Sequence, residues 1–385
     1  MARRRAAASA ERCKAIRRRL LAWYRRSGRA LPWRETRDPY AIWVSEIMLQ
    51  QTTVAAAAPF YERWMARFPT LESLARADEE DVLHLWSGLG YYNRAKNLHQ
   101  AAQIVAAEHG GELPQELSEL LLLPGIGRYT AGAIASIAFG KRVPAVDVNI
   151  SRVLARLDAL REPITSAIAQ EIVWEEAAAL AKTSNPGDLN QALMELGALI
   201  CSPTAPDCPS CPVRPLCRAA ERGDPERYPT RPARPQVVEV TEVGAAIERD
   251  GRWLFLRRQE GARMAGMWEI PHSPVRGEKP ATAVAPLVRA LTGLNVAIEE
   301  HLATISHTFT HHHVTLHVWR ASAPTEGRVR RQQHAAHQWA TLDQIARRPM
   351  STPQRRVVAA LREAAQGRQL DLLASAHSVG PAGFG

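Results

Sequence analysis

Leu123-Pro-Gly-Ile-Gly-Arg-Tyr-Thr-Ala-Gly132 leads into a helix of small residues and then into Val143-Pro-Ala-Val-Asp147. Pro124 ends whatever helix precedes it, and Gly125 and Gly127 supply a tight turn with access to positive φ. Arg128 then opens a new helix whose first amides have no partner within it. Such amides suit an anionic oxygen, for instance a DNA phosphate. The same spacing also makes an ordinary connection between two helices, so its meaning depends on what accompanies it.

Around it the pattern is helical from Arg12 to Leu199, with no convincing alternating strand. Upstream, Tyr40-Ala-Ile-Trp-Val-Ser-Glu-Ile-Met-Leu-Gln-Gln-Thr52 follows the cap and first-turn proline Asp38-Pro39. Glu46 has Ile42, Trp43, Leu49 and Gln50 as its helical neighbours. Desolvation there raises a carboxyl pKa, which suits a general acid near neutral pH. The plain alternative is a surface Glu on an amphipathic helix. Gly88-Leu-Gly-Tyr-Tyr-Asn-Arg-Ala-Lys96 is a second glycine turn, with Tyr91, Tyr92, Arg94 and Lys96 able to stack a base and hold its phosphate, or simply a loop. Downstream, Asp147 is expected to cap the helix carrying Val148, Val153 and Leu157. A cap carboxylate that stays ionised and rigid can also stabilise a cationic sugar. Glu46 and Asp147 together make the acid-plus-stabiliser pair that glycosidic cleavage needs.

The chain of 385 residues has room for two cores and carries 49 Lys+Arg against 39 Asp+Glu, a net charge of +10. That balance favours a polyanion, most simply nucleic acid. No apolar run reaches membrane-spanning length, which leaves neither a transmembrane helix nor a long secretory core. The basic start, Met1-Ala-Arg-Arg-Arg-Ala6, is expected to be a solvated arm. Cys13 stands apart, whereas Cys201-x6-Cys208-x2-Cys211-x5-Cys217 packs four thiols into a proline-rich loop. In a chain without secretion signals this favours a metal site over disulfides, and the spacing leaves zinc and iron–sulfur both open.

The stretches Val44–Thr52, Gly88–Tyr92, Leu123–Gly132, Val146-Asp-Val-Asn149, Asn190–Ala198 and the cysteine loop closely resemble the adenine-DNA glycosylase (MutY) family of helix-hairpin-helix DNA glycosylases. The resemblance implies a [4Fe–4S] cluster on Cys201, Cys208, Cys211 and Cys217. It implies Glu46 as the acid that protonates the adenine leaving group and Asp147 as stabiliser of the oxocarbenium-like sugar. Tyr129 and Asn149 would line the adenine pocket. Gln51, Thr52, Leu89 and Tyr91 would wedge into the duplex and contact the base opposite, while Gly125 and Gly127 hold its backbone. Flipping is required, because the bond to be cut is unreachable inside the stack. The similar endonuclease-III family has a lysine at the position of Tyr129, which forms a Schiff base and permits strand cleavage. A tyrosine cannot, so base excision without that lyase step is expected. Val148 departs from the glycine common in bacterial relatives, and a small local adjustment is expected.

Gly223-Asp-Pro-Glu-Arg-Tyr-Pro-Thr-Arg-Pro-Ala-Arg-Pro235 reads as an extended linker. Beyond it alternation over Val237–Ile247 and the turn Asp250-Gly251 announce strands, with helices at Ala283–Leu291 and Thr352–Ala364, an α+β unit. Gly266-Met-Trp-Glu-Ile-Pro271 and Leu291-Thr-Gly-Leu294 resemble a Nudix domain, but Leu287, Ala290 and Leu291 stand where a working Nudix helix has metal-binding Glu. The resemblance implies a lesion-recognition domain, with Phe309-Thr310-His311 matching the Phe-Ser-His element that touches 8-oxoguanine. His307, His311, His312, His313 and His317 also suggest a metal site; on one strand 307, 311, 313 and 317 would share a face, but solvated or DNA-facing histidines are the simpler reading.

The expected organisation is therefore an all-α helix-hairpin-helix glycosylase domain with an iron–sulfur loop (1–222), a linker (223–236), a Nudix-like α+β domain (237–364) and a flexible tail (365–385). The expected enzyme is a monomeric, monofunctional adenine glycosylase of base excision repair, bacterial, cytoplasmic and nucleoid-associated. Its partner is duplex DNA with adenine opposite 8-oxoguanine or guanine. Gln369-Leu-Asp-Leu-Leu373 resembles a sliding-clamp peptide, or is the fraying end of a helix. Alternatives are a glycosylase for other lesions, such as mismatched thymine, or a non-catalytic DNA-binding protein.

Overall fold

The computed structural model describes residues 2–230, 236–330 and 333–377, with side chains within 10–230, 236–330 and 333–366. The chain divides into two compact units. Met1–Arg76 and Asn97–Arg234 form the first, Ala77–Lys96 and Pro235–Gly385 the second. Among the described residues no strand precedes Val238. The helices run α1 (Ala2–Ser27), α2 (Pro39–Leu49), α3 (Val54–Arg67), α4 (Leu71–Ala75), α5 (Glu79–Trp86), α6 (Asn93–Glu108), α7 (Leu117–Leu120), α8 (Arg128–Ile137), α9 (Val148–Asp158), α10 (Ala167–Ala181), α11 (Pro186–Leu199) and α12 (Arg218–Glu221).

In the first unit α1, α9, α10 and α11 share a core of Ile16, Leu20, Val153, Leu157, Leu180 and Leu193. Asp38 caps α2, accepting from the amides of Tyr40 (3.1 Å) and Ala41 (3.4 Å). Every residue from Tyr40 to Met48 is buried, so α2 is a central helix and not an amphipathic one. The small residues of α8 have a steric cause: a Cβ on Gly132 would lie 2.1 Å from the carbonyl oxygen of Pro144. The extended segment before Asp147 crosses α8 at that point. Asn190 of α11 locks the crossing, donating to Ser136 Oγ (2.8 Å) and to the Val143 carbonyl (3.1 Å).

The second unit holds β1 (Val238–Arg249), β2 (Arg252–Arg258), β3 (Trp268–Glu269), β4 (His272–Pro274), α13 (Pro280–Thr292), β5 (Ala297–Phe309), β6 (His312–Ser322), β7 (His334–Ala340), α14 (Leu342–Ala346) and α15 (Thr352–His377). These strands form one mixed sheet in the order β3-β2-β1-β6-β5, with β4 on β1 and β7 on β2. β1 and β6 are parallel from Val238↔His312 to Glu248↔Ser322. Val243, Ala245 and Ile247 of β1 join a core with α13, whereas Ala246 joins one with α15. Covered on both faces, the middle of β1 is continuously buried rather than alternating as expected.

Several sequence-based expectations are corrected by these elements. The basic start is the first part of α1, not a free arm. The expected linker is bound to the first unit as far as Thr230: Tyr228 is buried with Ala159 and Ala219, and Thr230 Oγ1 donates to the Arg161 carbonyl (2.6 Å). Residues 231–235 lie outside the described residues. The last helix passes Ala364 and reaches His377 where a flexible tail was expected, because Leu, Ala, Gln and Arg dominate that stretch and only Gly367 interrupts it. Side chains of Gln369–Leu373 lie outside the described residues, as do residues 378–385 altogether. The histidine run is split between β5 and β6 by a turn at Thr310-His311, so one-strand periodicity does not apply to it. His312 instead stacks on Phe309 at 4.9 Å, and His313 pairs with Glu239 at 2.8 Å.

Candidate active site and nucleic-acid interface

A cleft of about 830 Å³ opens in the first unit between α2, the start of α9 and α11. It brings together six residues singled out from the sequence: Glu46, Gln51, Thr52, Tyr129, Asp147 and Asn149. Glu46 is 5% exposed. Burial pushes its carboxyl up to about 7, the nearby Asp147 charge adds to the rise, and the hydrogen bond from Tyr129 opposes it. Tyr129 OH donates to Glu46 Oε2 at 2.5 Å and also approaches Met194 Sδ at 3.7 Å. With one carboxyl oxygen accepting from tyrosine, the other is the one that can carry a proton.

Asp147 caps α9 as expected. One of its oxygens accepts from the Ile150 amide (2.7 Å) and the other from Asn149 Nδ2 (2.8 Å). The expectation of a simply ionised cap needs amendment: burial raises the Asp147 carboxyl, against which these two donors pull it down. Asn149 is itself held by Arg152, whose guanidinium donates to Asn149 Oδ1 (2.9 Å), the Gly197 carbonyl (2.8 Å) and the Cys201 carbonyl (2.8 Å). Residue 197 has to be glycine, because a Cβ there would lie 2.6 Å from that of Asn149. Val148 is 78% exposed, so its branched side chain crowds nothing in the fold.

Sequence reasoning missed three further residues of this cleft. Glu195, 1% exposed, accepts from Arg29 Nε and Nη2 (both 2.8 Å) and from Arg34 Nη2 (2.9 Å). Burial alone would raise its carboxyl, but the two guanidinium groups hold it at about 2. Glu195 lies inside the quoted stretch Asn190–Ala198, yet its partners sit more than 160 positions away.

At the hairpin, Gly125 has φ +77°, and a Cβ there would lie 2.7 Å from that of Asn97. Gly127 was expected to share the positive φ but has φ −91°, because it is the N-cap of α8. Nothing in the protein stands within 4 Å of where its Cβ would be. Neither conformation nor packing demands glycine at 127, whereas a backbone approaching from outside would.

Cys201, Cys208, Cys211 and Cys217 line one small cavity together with Arg156. Burial, with the neighbouring thiols adding, pushes Cys211 up to about 12 and raises Cys208 and Cys217. Buried Arg156 donates to Cys201 Sγ at 3.3 Å and to the carbonyls of Cys201, Ser202, Pro203 and Tyr228. Four thiols gathered in one loop, one of them accepting from a guanidinium that would stabilise a thiolate's charge, fit the ligands of an iron–sulfur cluster. No set of three His, Cys, Asp or Glu side chains among the described residues is placed to hold a single metal ion, the histidine run included.

The remaining singled-out residues belong to the second unit. Leu89 is buried, while Tyr91 is 47% exposed with φ +49°. Phe309, Thr310 and His311 form the tip of the β5–β6 hairpin, where the Arg263 guanidinium lies 3.7 Å from the Phe309 ring centroid. Thr310 has φ +48°, an uncommon region for a β-branched residue, and its hydroxyl donates to the Phe309 carbonyl (2.8 Å).

A helical unit with a hairpin, a buried glutamate facing a cleft with a half-buried aspartate, and a cysteine loop defines a class. Residues 44–178 match the HhH-GPD superfamily of base excision DNA repair proteins, and residues 242–360 match the NUDIX domain. The chain belongs to the adenine DNA glycosylase family. It is 35% identical to the adenine DNA glycosylase of Rattus norvegicus over 409 aligned residues, covering 92% of this chain and 79% of that protein. With that of Buchnera aphidicola subsp. Acyrthosiphon pisum it shares 40% over 213 residues, 55% of this chain and 61% of that one. Among solved structures, a thermostable thymine-DNA glycosylase is similar at 30% identity and a TM-score of 0.50, spanning 55% of this chain and 98% of that one. No helix of the described residues is long and apolar enough to cross a membrane.

Proposed function

We propose that this chain flips adenine out of duplex DNA where it faces 8-oxoguanine or guanine, and hydrolyses its bond to the sugar. The observation that carries this is Glu46, buried in a cleft with its proton retained near neutral pH and one oxygen occupied by Tyr129. Glu46 donates that proton to the departing base. Asp147, fixed by the Ile150 amide and Asn149, stabilises the cationic sugar until water completes the reaction. Tyr129 carries no amine, so the chemistry stops at base release.

Cys201, Cys208, Cys211 and Cys217 are the residues that hold a [4Fe–4S] cluster, with Arg156 beside Cys201. Bound there, such a cluster would brace the loop. Arg152 ties that loop to Asn149. Gln51, Thr52, Leu89 and Tyr91 engage the duplex, the Gly125–Gly127 turn its backbone, and Phe309–His311 the oxidised base. Gln369–Leu373 is retained as a sliding-clamp peptide. The test is a single-turnover assay on duplexes carrying A opposite 8-oxoguanine, A opposite G, and T opposite G. Free adenine from the first two, without strand cleavage, is expected. Release of thymine alone would contradict the reading and favour the activity named for the thymine-DNA glycosylase neighbour.

A further inference from the structure

The glycine turn after α5 lies within the stretch that matches base excision proteins, yet it is built into the second unit. Its two ends are held differently. On one side Arg94 donates to the carbonyls of Leu89 (3.2 Å) and Gly90 (3.1 Å), and Trp86 Nε1 donates to Gly90 as well (3.1 Å). On the other, Ser87 Oγ (2.5 Å) and the buried Tyr92 hydroxyl (3.0 Å) both donate to one acceptor, the Met350 carbonyl between α14 and α15. Arg355 Nε donates to Ser87 Oγ (2.9 Å), so that hydroxyl is used in both directions. α5 is fastened to the same place: Glu80 accepts from Trp268 Nε1 (3.3 Å) and pairs with Arg348 (2.7 Å). Trp268 in turn donates its amide to the Pro349 carbonyl (2.9 Å). Within this frame Gly88, Gly90 and Tyr91 have φ of 116°, 72° and 49°, and Tyr91 remains exposed.

One loop serves both this seat and the β5–β6 tip. In the connection from β2 to β3, Arg263 covers the Phe309 ring. Three residues on, a Cβ at Gly266 would stand 3.4 Å from Leu83 of α5, and Glu260 pairs with Lys96 at 3.4 Å.

We propose that the α14–α15 connection, with Trp268 of β3 beside it, is the seat of the Leu89–Tyr91 turn, with Ser87, Tyr92 and Glu80 as positioning residues that hold the turn in register with the Phe309–His311 tip. The inference rests on the proposed function insofar as it assigns both elements to reading the base opposite adenine. Sharing a seat, the two elements present a preformed surface to the duplex, and the seat therefore sets the preference for 8-oxoguanine over guanine.

The test uses the full chain with its cluster and a Ser87→Ala/Tyr92→Phe double variant. Amide exchange of residues 88–92 is expected to quicken at least tenfold while β1 and β6 keep their protection. The ratio of adenine release opposite 8-oxoguanine to that opposite guanine is expected to fall about tenfold, and Ser87→Thr alone to keep both near wild type. Unchanged exchange overturns the proposal. Quickened exchange with an unchanged ratio also overturns it, since the seat would then not serve recognition. If the double variant loosens the whole sheet, Tyr92→Phe alone carries the test, because it removes one hydroxyl and leaves the ring. The exchange arm needs no substrate, so a wild type that released no adenine would overturn the functional reading separately.

Discussion

Glu46 in the cleft and Glu269 in the sheet are each 5% exposed, yet their carboxyls move in opposite directions. Glu46 rises to about 7, with one neutral phenol as its partner. Glu269 is held well below the carboxylate range by His272, His334 and Arg258. Burial penalises both charges, and the company kept by each decides whether the charge survives. A carboxyl left with a phenol keeps a transferable proton. One that accepts from Arg258, His272 and His334 becomes a fixed ion that holds strands β2, β3, β4 and β7 together. On the proposed function, the first is the reactive group and the second a structural one.

The largest effect expected from this contrast is kinetic. Glu46→Gln keeps the shape and removes the acid, so single-turnover adenine release should fall about 10³-fold with duplex binding retained. A variant within tenfold of wild type would remove Glu46 from the chemistry.

Glu269→Gln should act on stability instead. It leaves Arg258 without its carboxylate and His272, whose imidazole its acidic neighbours hold up at about 9, with Glu242 as its remaining anionic partner, costing about 2 kcal/mol in denaturant unfolding of the second unit. The same pair gives a signed pH dependence. His272 is raised above its ordinary 6.5, so its contribution is complete below that value and fades as pH climbs through about 9. Glu269 is depressed, so its contribution is present above about 4.5 and fades in acid. Unfolding of the second unit should therefore be most resistant between about pH 4.5 and 6.5, with that maximum flattened in the variant.

Tyr129→Phe sharpens the contrast from the other side. Losing the donor should raise the Glu46 carboxyl further and slow adenine release about tenfold, read as an upward shift of the pH profile. Smallest of all is Gly127→Ala, expected within about 0.5 kcal/mol of wild-type stability, with weakened duplex binding measured at fixed salt. A large loss of stability there would mean that the glycine serves the fold rather than an outside backbone.

Much of this site was legible because its signals are local. The Asp38-Pro39 cap, the cysteine spacing and the apolar neighbours of Glu46 are all set within a few residues. What escaped depends on distant partners. Glu195 is an ordinary helix residue until Arg29 and Arg34 arrive from the other end of the chain, and Arg152 and Arg156 gain meaning only beside the Cys201 loop. Gly127 resembles Gly125 in sequence but differs in φ, because one caps a helix and the other turns the chain. The Gly88–Tyr92 turn gave no sign of its place in the second unit, since the carbonyl that anchors it belongs to Met350. The histidine run misled because a two-residue turn divides it between strands.

The central claim is that Glu46 holds the proton that leaves with the base. It is tested most directly by the pH dependence of wild-type adenine release at sub-saturating enzyme, which reports groups of the free protein. The rate should fall as pH rises through about 7, and Glu46→Gln should lack that limb. A wild-type rate flat from pH 5 to 9, or a limb that persists without Glu46, would contradict the account.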